Sequence, residues 1–178
     1  GGQPSSRLLR AWKVERASRA LDGSRTERTV AYTDPETGLV VRCRAVEYRD
    51  FPTVEWTVRF ANTGAAPTPI LQDILALDLR FARGHYGEFI LHHAVGSICA
   101  VNDYQPLATE LPPGTQKKIG GSGGRPTNSD MSYFNLEVPT GSGTILAVGW
   151  PGQWSSLWSR DGELGLRVRA GQELTHLR

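Results

Sequence analysis

No segment of this sequence stays apolar for the roughly 18 to 20 residues that a membrane helix requires. The longest apolar-leaning run, residues 70–81, is broken by Gln72, Asp73, Asp78 and Arg80. An excess of one charge is missing too. The 20 Lys and Arg against 18 Asp and Glu leave a net charge of +2, with the two signs interleaved along the chain. With neither a basic arm nor an acidic tail, nucleic acid and membrane surfaces are poor partners. Cysteine is scarce: Cys43 and Cys99 allow one pairing at most and no metal cluster. Both are expected as buried thiols on inward-facing strand positions, the usual place of free cysteine. A secretory leader is not visible at the start, which reads Gly1-Gly2-Gln3 without Met. Because residues 172–178 read as a strand cut short, the chain is expected to be a piece of a longer protein.

What is present is turn-forming residues and short apolar runs. Twenty Gly and eleven Pro punctuate stretches rich in Val, Ile, Leu and aromatics, the pattern of many strands joined by turns. In residues 53–61, Val54, Trp56, Val58 and Phe60 share one face while Glu55, Thr57 and Arg59 share the other. Such alternation buries one face of an antiparallel sheet and solvates the other. Residues 39–48 alternate likewise, and with 28–33 they make a meander of three strands. A helix competes only at 70–81, where Leu71, Leu75, Leu77, Leu79 and Phe81 fall on one face and the period of two selects a strand. Further strands are expected at 88–95, 98–101, 132–138, 144–150, 163–169 and 173–177. The fold class is therefore all-β, a large two-sheet antiparallel β-sandwich of supersandwich type with little or no helix, spanning residues 1–178 as one domain. Residues 114–130 read as a long structureless loop, which is uncommon in a compact domain and often functional.

Catalytic groups find no support. His92 and His93 are adjacent, so on a strand they point to opposite faces and cannot chelate one ion together. His85 and His176 read as ordinary structural or surface residues. The glycine-rich stretch 120–124 lacks the Gly-Lys-Ser/Thr ending of a phosphate loop and no helix is expected beside it. Asp73, Asp78, Asp103, Asp130 and Asp161 offer no recognisable carboxylate pair for glycosidic chemistry. The expectation is of no cofactor, no metal and no catalysis by this chain alone.

Sugar recognition has more to stand on, because sugars present flat C–H faces edged with hydroxyls and take exposed aromatic rings and planar hydrogen-bonding groups as partners. Trp150, Trp154 and Trp158 lie four residues apart. For Trp150 and Trp158, packing between sheets and stacking on a sugar both stay open. Trp154, flanked by Gln153 and two serines, is expected to be exposed. In the neighbouring loop, Gly124, Arg125 and Asn128 are candidates for backbone approach and directional hydrogen bonds. If Trp154 forms an exposed platform, Trp154→Ala abolishes glycan binding and leaves stability nearly intact.

Six stretches, in order from about residue 30 to the end, carry a family likeness. They are Phe51-Pro-Thr-Val-Glu-Trp-Thr-Val-Arg-Phe-Ala-Asn-Thr-Gly64, Thr68-Pro-Ile-Leu-Gln-Asp-Ile-Leu-Ala-Leu-Asp-Leu79, Gly123-Gly-Arg-Pro-Thr-Asn128, Tyr133-Phe-Asn-Leu136, Gly149-Trp-Pro-Gly-Gln-Trp154 and Ala170-Gly-Gln-Glu-Leu-Thr-His-Leu-Arg178. Together they resemble the N-terminal β-sandwich domain of α-galactosidase-like (melibiase-type) glycoside hydrolases allied to family 36. The resemblance implies a downstream (β/α)₈ barrel with two catalytic aspartates. A barrel of about 250 residues has no room here, so the chain itself is expected not to be an enzyme. It further implies a carbohydrate partner, a galactoside or related glycan. Gly124, Arg125 and Asn128, with Trp150, Gln153 and Trp154, would lie nearest the sugar pocket. The loop departs from the family pattern, reading Gly-Gly-Arg-Pro-Thr-Asn-Ser in place of Gly-Gly-Arg-Ser-Ser-Asn-Gly. Two other readings stay open: an autonomous carbohydrate-binding module using exposed tryptophans, and a purely structural or homo-oligomer-forming domain.

Overall fold

The computed structural model describes residues 2–139 and 141–173. The strand expected beyond residue 173, and His176 with it, lie outside the described residues. The chain divides into two compact units, with the break after Ile70. All strand pairings are antiparallel and, among the described residues, the one helix is the four-residue α1, Ser5–Leu8. The all-β antiparallel fold is as expected, distributed over three four-stranded sheets.

The first unit is a meander of β1 (Lys13–Ala20), β2 (Arg25–Thr33), β3 (Leu39–Tyr48) and β4 (Thr53–Asn62), in that spatial order. The alternation read in the sequence sets its register. Val30, Cys43 and Val58 pair across three strands, and so do Tyr32, Val41 and Phe60. Carboxylates and amides shape the turns. Asp22 Oδ1 accepts from the backbone N–H groups of Ser24 and Arg25 at 2.9 and 2.8 Å. Asp34 accepts from Glu36 N at 3.1 Å and Thr37 Oγ1 at 2.6 Å. Both are Asx-type turns, which offer the chain a reversal without a backbone partner. The strand β1 was not foreseen, because Lys-Val-Glu-Arg-Ala-Ser-Arg-Ala has a helix-former composition. It is an exposed edge strand held by its full-length pairing with β2, an instance of tertiary pairing overriding propensity.

The second unit is a sandwich. One sheet has the order β10 (Ser142–Ala147), β9 (Tyr133–Val138), β6 (Phe89–Ala94), β7 (Pro106–Leu111). The other has the order β5 (Leu77–Ala82), β12 (Gly165–Gln172), β11 (Trp154–Arg160), β8 (Gln116–Gly120). Phe89, Leu91, Leu111 and Leu136 from the first sheet and Trp154, Trp158, Leu166 and Val168 from the second are all buried to within 1%. Phe134 joins the layers, its ring edge-on to Trp154 at 5.8 Å and tilted against Trp158 at 5.2 Å. Burial of side chains this large contributes roughly 1.5–3 kcal/mol each against solvent.

Several expectations are corrected. Only the last part of 70–81 is a strand, because Asp73 adopts a left-handed backbone (φ 53°) that ends any extension through it. Residues 98–101 form a turn. There Asp103 accepts from Ser97 Oγ (2.6 Å), Ile98 N (3.1 Å) and Cys99 N (3.0 Å), and Cys99 itself has φ 66°. Cys99 is accordingly exposed, whereas Cys43 is half-buried on β3, where burial pushes its thiol pKa up. The stretch 114–130 is not structureless, since it holds β8, whose Ile119 is buried against β11.

One buried charge closes the far end of the sandwich. Arg160 donates from Nε to Glu88 Oε1 at 2.9 Å and from Nη2 to Glu88 Oε2 at 3.2 Å. Its remaining donors reach the Asp161 carboxylate and the carbonyls of Asp161, Glu163 and Gly165. The guanidinium also sits 5.5 Å from the centre of the Phe89 ring. Burial raises the Glu88 pKa, but hydrogen bonds from Arg160 and the Phe89 amide outweigh it and hold the carboxyl below its ordinary range. Arg160→Leu removes the two-bond partner of Glu88 and leaves it the ion pair with Arg83 at 3.2 Å. It is expected to cost about 2–4 kcal/mol, read as a lower urea midpoint. The Glu88 contribution is fully present above the ordinary glutamate value of about 4.3. It is lost as pH falls through the lower folded value. Glu88→Gln should flatten that part of the acid limb in a pH series of melting curves.

Candidate functional site

Three loops meet at one end of the second unit: residues 95–105, 120–131 and 148–153. Their meeting follows from backbone pairing. Gly96 N donates to Ser129 O at 2.8 Å and Ser97 N to Thr127 O at 2.7 Å. A Cβ on Gly96 would stand 2.2 Å from the Thr127 carbonyl oxygen, so this approach requires glycine. On the other side, Gly121 N donates to Trp154 O at 3.0 Å.

Within the glycine-arginine loop the sequence candidates take distinct places. Gly124 has a left-handed backbone (φ 74°), and its N–H donates to Gln153 Oε1 at 3.1 Å. Gln153 Nε2 in turn donates to Glu173 Oε2 at 2.9 Å, and Lys118 forms an ion pair with the same carboxylate. The hydrogen bond from Gln153, then that from Lys118, hold the Glu173 carboxyl below its ordinary range. Asn128 Oδ1 accepts from Ser122 N at 2.8 Å and so pins the start of the loop to its end. Arg125 N donates to Ser122 O at 3.1 Å. Its guanidinium is exposed, with no hydrogen bond or ion pair among the described residues.

The tryptophans are the main correction. Trp154 is fully buried, not exposed, and its indole Nε1 donates to Pro126 O at 2.6 Å. Inward residues of β11 alternate as Trp154, Ser156, Trp158, Arg160. The flanking polar residues that suggested exposure lie on the opposite face or fill the inner one. Trp158 is buried too, its Nε1 donating to Ser156 Oγ at 3.0 Å. Trp150 precedes the strand and is 38% exposed, with its indole nitrogen folded back over Gly152. Hydrogen bonds and loop packing thus join Gly124, Arg125, Asn128, Gln153 and Trp154. Trp150 is not among the residues they join. The platform formed by Trp154 does not exist, and Trp154→Ala is a core mutation.

Sequence reasoning missed the 95–105 loop, within which it took residues 98–101 for a strand. The signal was present in Gly96 before the apolar residues and Asn102-Asp103 after them. Catalytic chemistry gains nothing here. Among the described residues no three His, Cys, Asp or Glu side chains gather as a metal site. Asp103 and Asp161 are engaged in ordering turns, and Asp78 in a two-bond ion pair with Arg167. His92 and His93 part as expected, His92 to Glu137 at 2.9 Å and His93 inward to Thr109 at 3.1 Å.

No protein-family model matches the sequence, and no curated protein matches it. Solved structures do. The GH36 α-galactosidase AgaA from Geobacillus stearothermophilus matches 92% of this chain at 15% identity with a TM-score of 0.69. A variant of AgaA in complex with raffinose matches 92% at 15% identity and 0.68. The α-galactosidase from Lactobacillus brevis matches 91% at 14% identity and 0.63. This chain spans only 24%, 24% and 23% of those chains. What the likeness shows is the fold: nearly all of this chain adopts a β architecture found in about a quarter of each α-galactosidase.

Trp154→Phe keeps an aromatic ring in the core and removes the bond to Pro126. A loss of about 1–2 kcal/mol is expected, together with faster amide exchange at residues 121–128 than in the native chain. Trp154→Ala should cost about 3–5 kcal/mol. An unchanged denaturation midpoint in Trp154→Ala would contradict the core assignment.

Proposed function

We propose that this chain is a non-catalytic β-sandwich domain of a glycoside hydrolase resembling α-galactosidases. In this reading it packs on a catalytic barrel elsewhere in the same protein and helps to wall that barrel's sugar pocket. The observation that carries it is the match of over nine-tenths of this chain to about a quarter of several α-galactosidase chains. The loop end supports the second half of the reading. Its backbone is fixed by interlocking hydrogen bonds, while the Arg125 guanidinium is exposed and makes no hydrogen bond or ion pair among the described residues. A planar, permanently charged donor held on a rigid loop suits hydrogen bonding to sugar hydroxyls. The AgaA variant in the raffinose complex bears on the ligand class, a galactoside or related oligosaccharide.

The test joins this chain to its catalytic barrel and follows hydrolysis of a nitrophenyl α-galactoside. The chain alone is expected to show no turnover. In the joined protein, Arg125→Ala should raise KM about tenfold, equivalent to about 1.4 kcal/mol, with kcat and melting temperature little changed. A KM within twofold of native in both Arg125→Ala and Gln153→Ala would remove these loops from the pocket wall.

A further inference from the structure

The outer face of the β10–β9–β6 sheet, with Tyr104 and Met131 of the adjoining loops, carries a second feature. A shallow open groove of about 460 Å³ runs there, lined among others by Tyr104, Tyr133, Asn135, His92, Met131 and Ile145. Tyr133 is 61% and Tyr104 60% exposed, and Ile145 is 78% exposed. Register explains the placement: Ile145, Asn135 and His92 pair across the three strands on the face opposite the Phe134 core. Two large phenol rings left in water beside one groove are unusual, because aromatic side chains ordinarily carry the core.

Tyr104 is held there at a cost. Its backbone is left-handed (φ 61°), a conformation that a bulky residue adopts only when its surroundings impose it. Those surroundings are the Asp103-centred turn and the bond from Tyr104 N to Gly96 O at 3.2 Å. Non-glycine strain of this kind concentrates where a side chain is being aimed.

We propose that this groove binds a neutral hexose ring, with Tyr104 and Tyr133 as its aromatic walls and the Asn135 carboxamide as a hydrogen-bonding group at its rim. Among the described residues no Asp, Glu, Lys or Arg lines the groove, the Glu137 carboxylate being engaged with His92 Nε2 at 2.9 Å, so a charged ligand would lose its hydration without compensation. A sugar instead offers apolar C–H faces to the rings and hydroxyls to Asn135. The groove is shallow and open, so a sugar ring would lie with one face against it rather than be enclosed. Tyr104 and Met131 come from two of the three loops that meet at this end and the other walls from the sheet face, while neither Arg125 nor Gln153 lines the groove.

The 178-residue chain, titrated with methyl α-galactopyranoside, glucose and raffinose and followed by ligand-observed NMR and calorimetry, tests it. Saturable binding of at least one sugar is expected with Kd of about 1–10 mM, the range open to a ligand of so few atoms. Tyr133→Ala and Tyr104→Ala should each weaken it tenfold or more, and Tyr133→Phe less than threefold. Should Tyr133→Ala melt early, Tyr133→Thr suits a strand and serves in its place. Titrations run to about 100 mM, ten times the upper expected Kd; absence of binding there overturns the proposal. Loss of binding in Arg125→Ala with none in Tyr133→Ala would also overturn it, placing the sugar at the loops. A failed Arg125→Ala result in the joined hydrolase leaves the groove measurement untouched, so the two readings fail separately.

Discussion

The indole of Trp154 is the constraint from which the candidate site follows. Its ring is buried against Phe134, so it cannot move without opening the sandwich. Its nitrogen is nonetheless bonded to the Pro126 carbonyl, and its own carbonyl accepts from Gly121. One residue thereby ties the core to both limbs of a surface loop. The cost of freeing that loop becomes part of the cost of disturbing the core, which is how a glycine-rich stretch acquires a defined shape despite its backbone entropy.

A second device recurs at the chain reversals. Asp22, Asp34, Asp103 and Asp161 each accept hydrogen bonds from backbone N–H groups two to five residues away. In water these donors would be solvated at little loss, but in a folded turn they need a local acceptor. Ionised carboxylates supply strong ones. Hydrogen bonding holds Asp103 and Asp161 below the ordinary carboxylate range, led by Ser97 in the first and the Glu163 amide in the second. The acidic residues that might have suggested hydrolytic chemistry are therefore largely occupied in defining where strands end.

Period-two patterning was legible wherever a strand had one more and one less exposed face, as in β4, where the half-buried Trp56, Val58 and Phe60 alternate with exposed neighbours. It failed in two physically different ways. Strand β1 carries no apolar face to read, since its stability lies in backbone pairing with β2. Strand β11 carries its pattern in mixed chemistry, Trp154-Ser156-Trp158-Arg160 inward. Polarity there misled because Ser156 and Arg160 are buried with their hydrogen bonds satisfied. For the site, the glycine-arginine loop and Gln153 were visible in the sequence, and a hydrogen bond from Gly124 joins them. The contribution of residues 95–105 was not, because it rests on a carboxylate-ordered turn and on contacts about thirty residues apart in the chain.

The bonds that fix the loop have a further consequence for how its chemistry can differ between proteins of this fold. Pro126, Thr127 and Ser129 are held through their carbonyl oxygens, and Gly121 and Gly124 through their N–H groups. Backbone atoms are present whatever side chain stands at a position, provided its φ and ψ are allowed. The side chains of Arg125 and Thr127 are therefore not needed to hold the loop by these bonds. Asn128 is the exception, since its carboxamide oxygen closes the turn onto Ser122. Identity of about 15% with retained fold fits such a division. The frame of the loop rests on backbone groups and the Asn128 carboxamide, and the side chains of Arg125 and Thr127 take no part in these bonds.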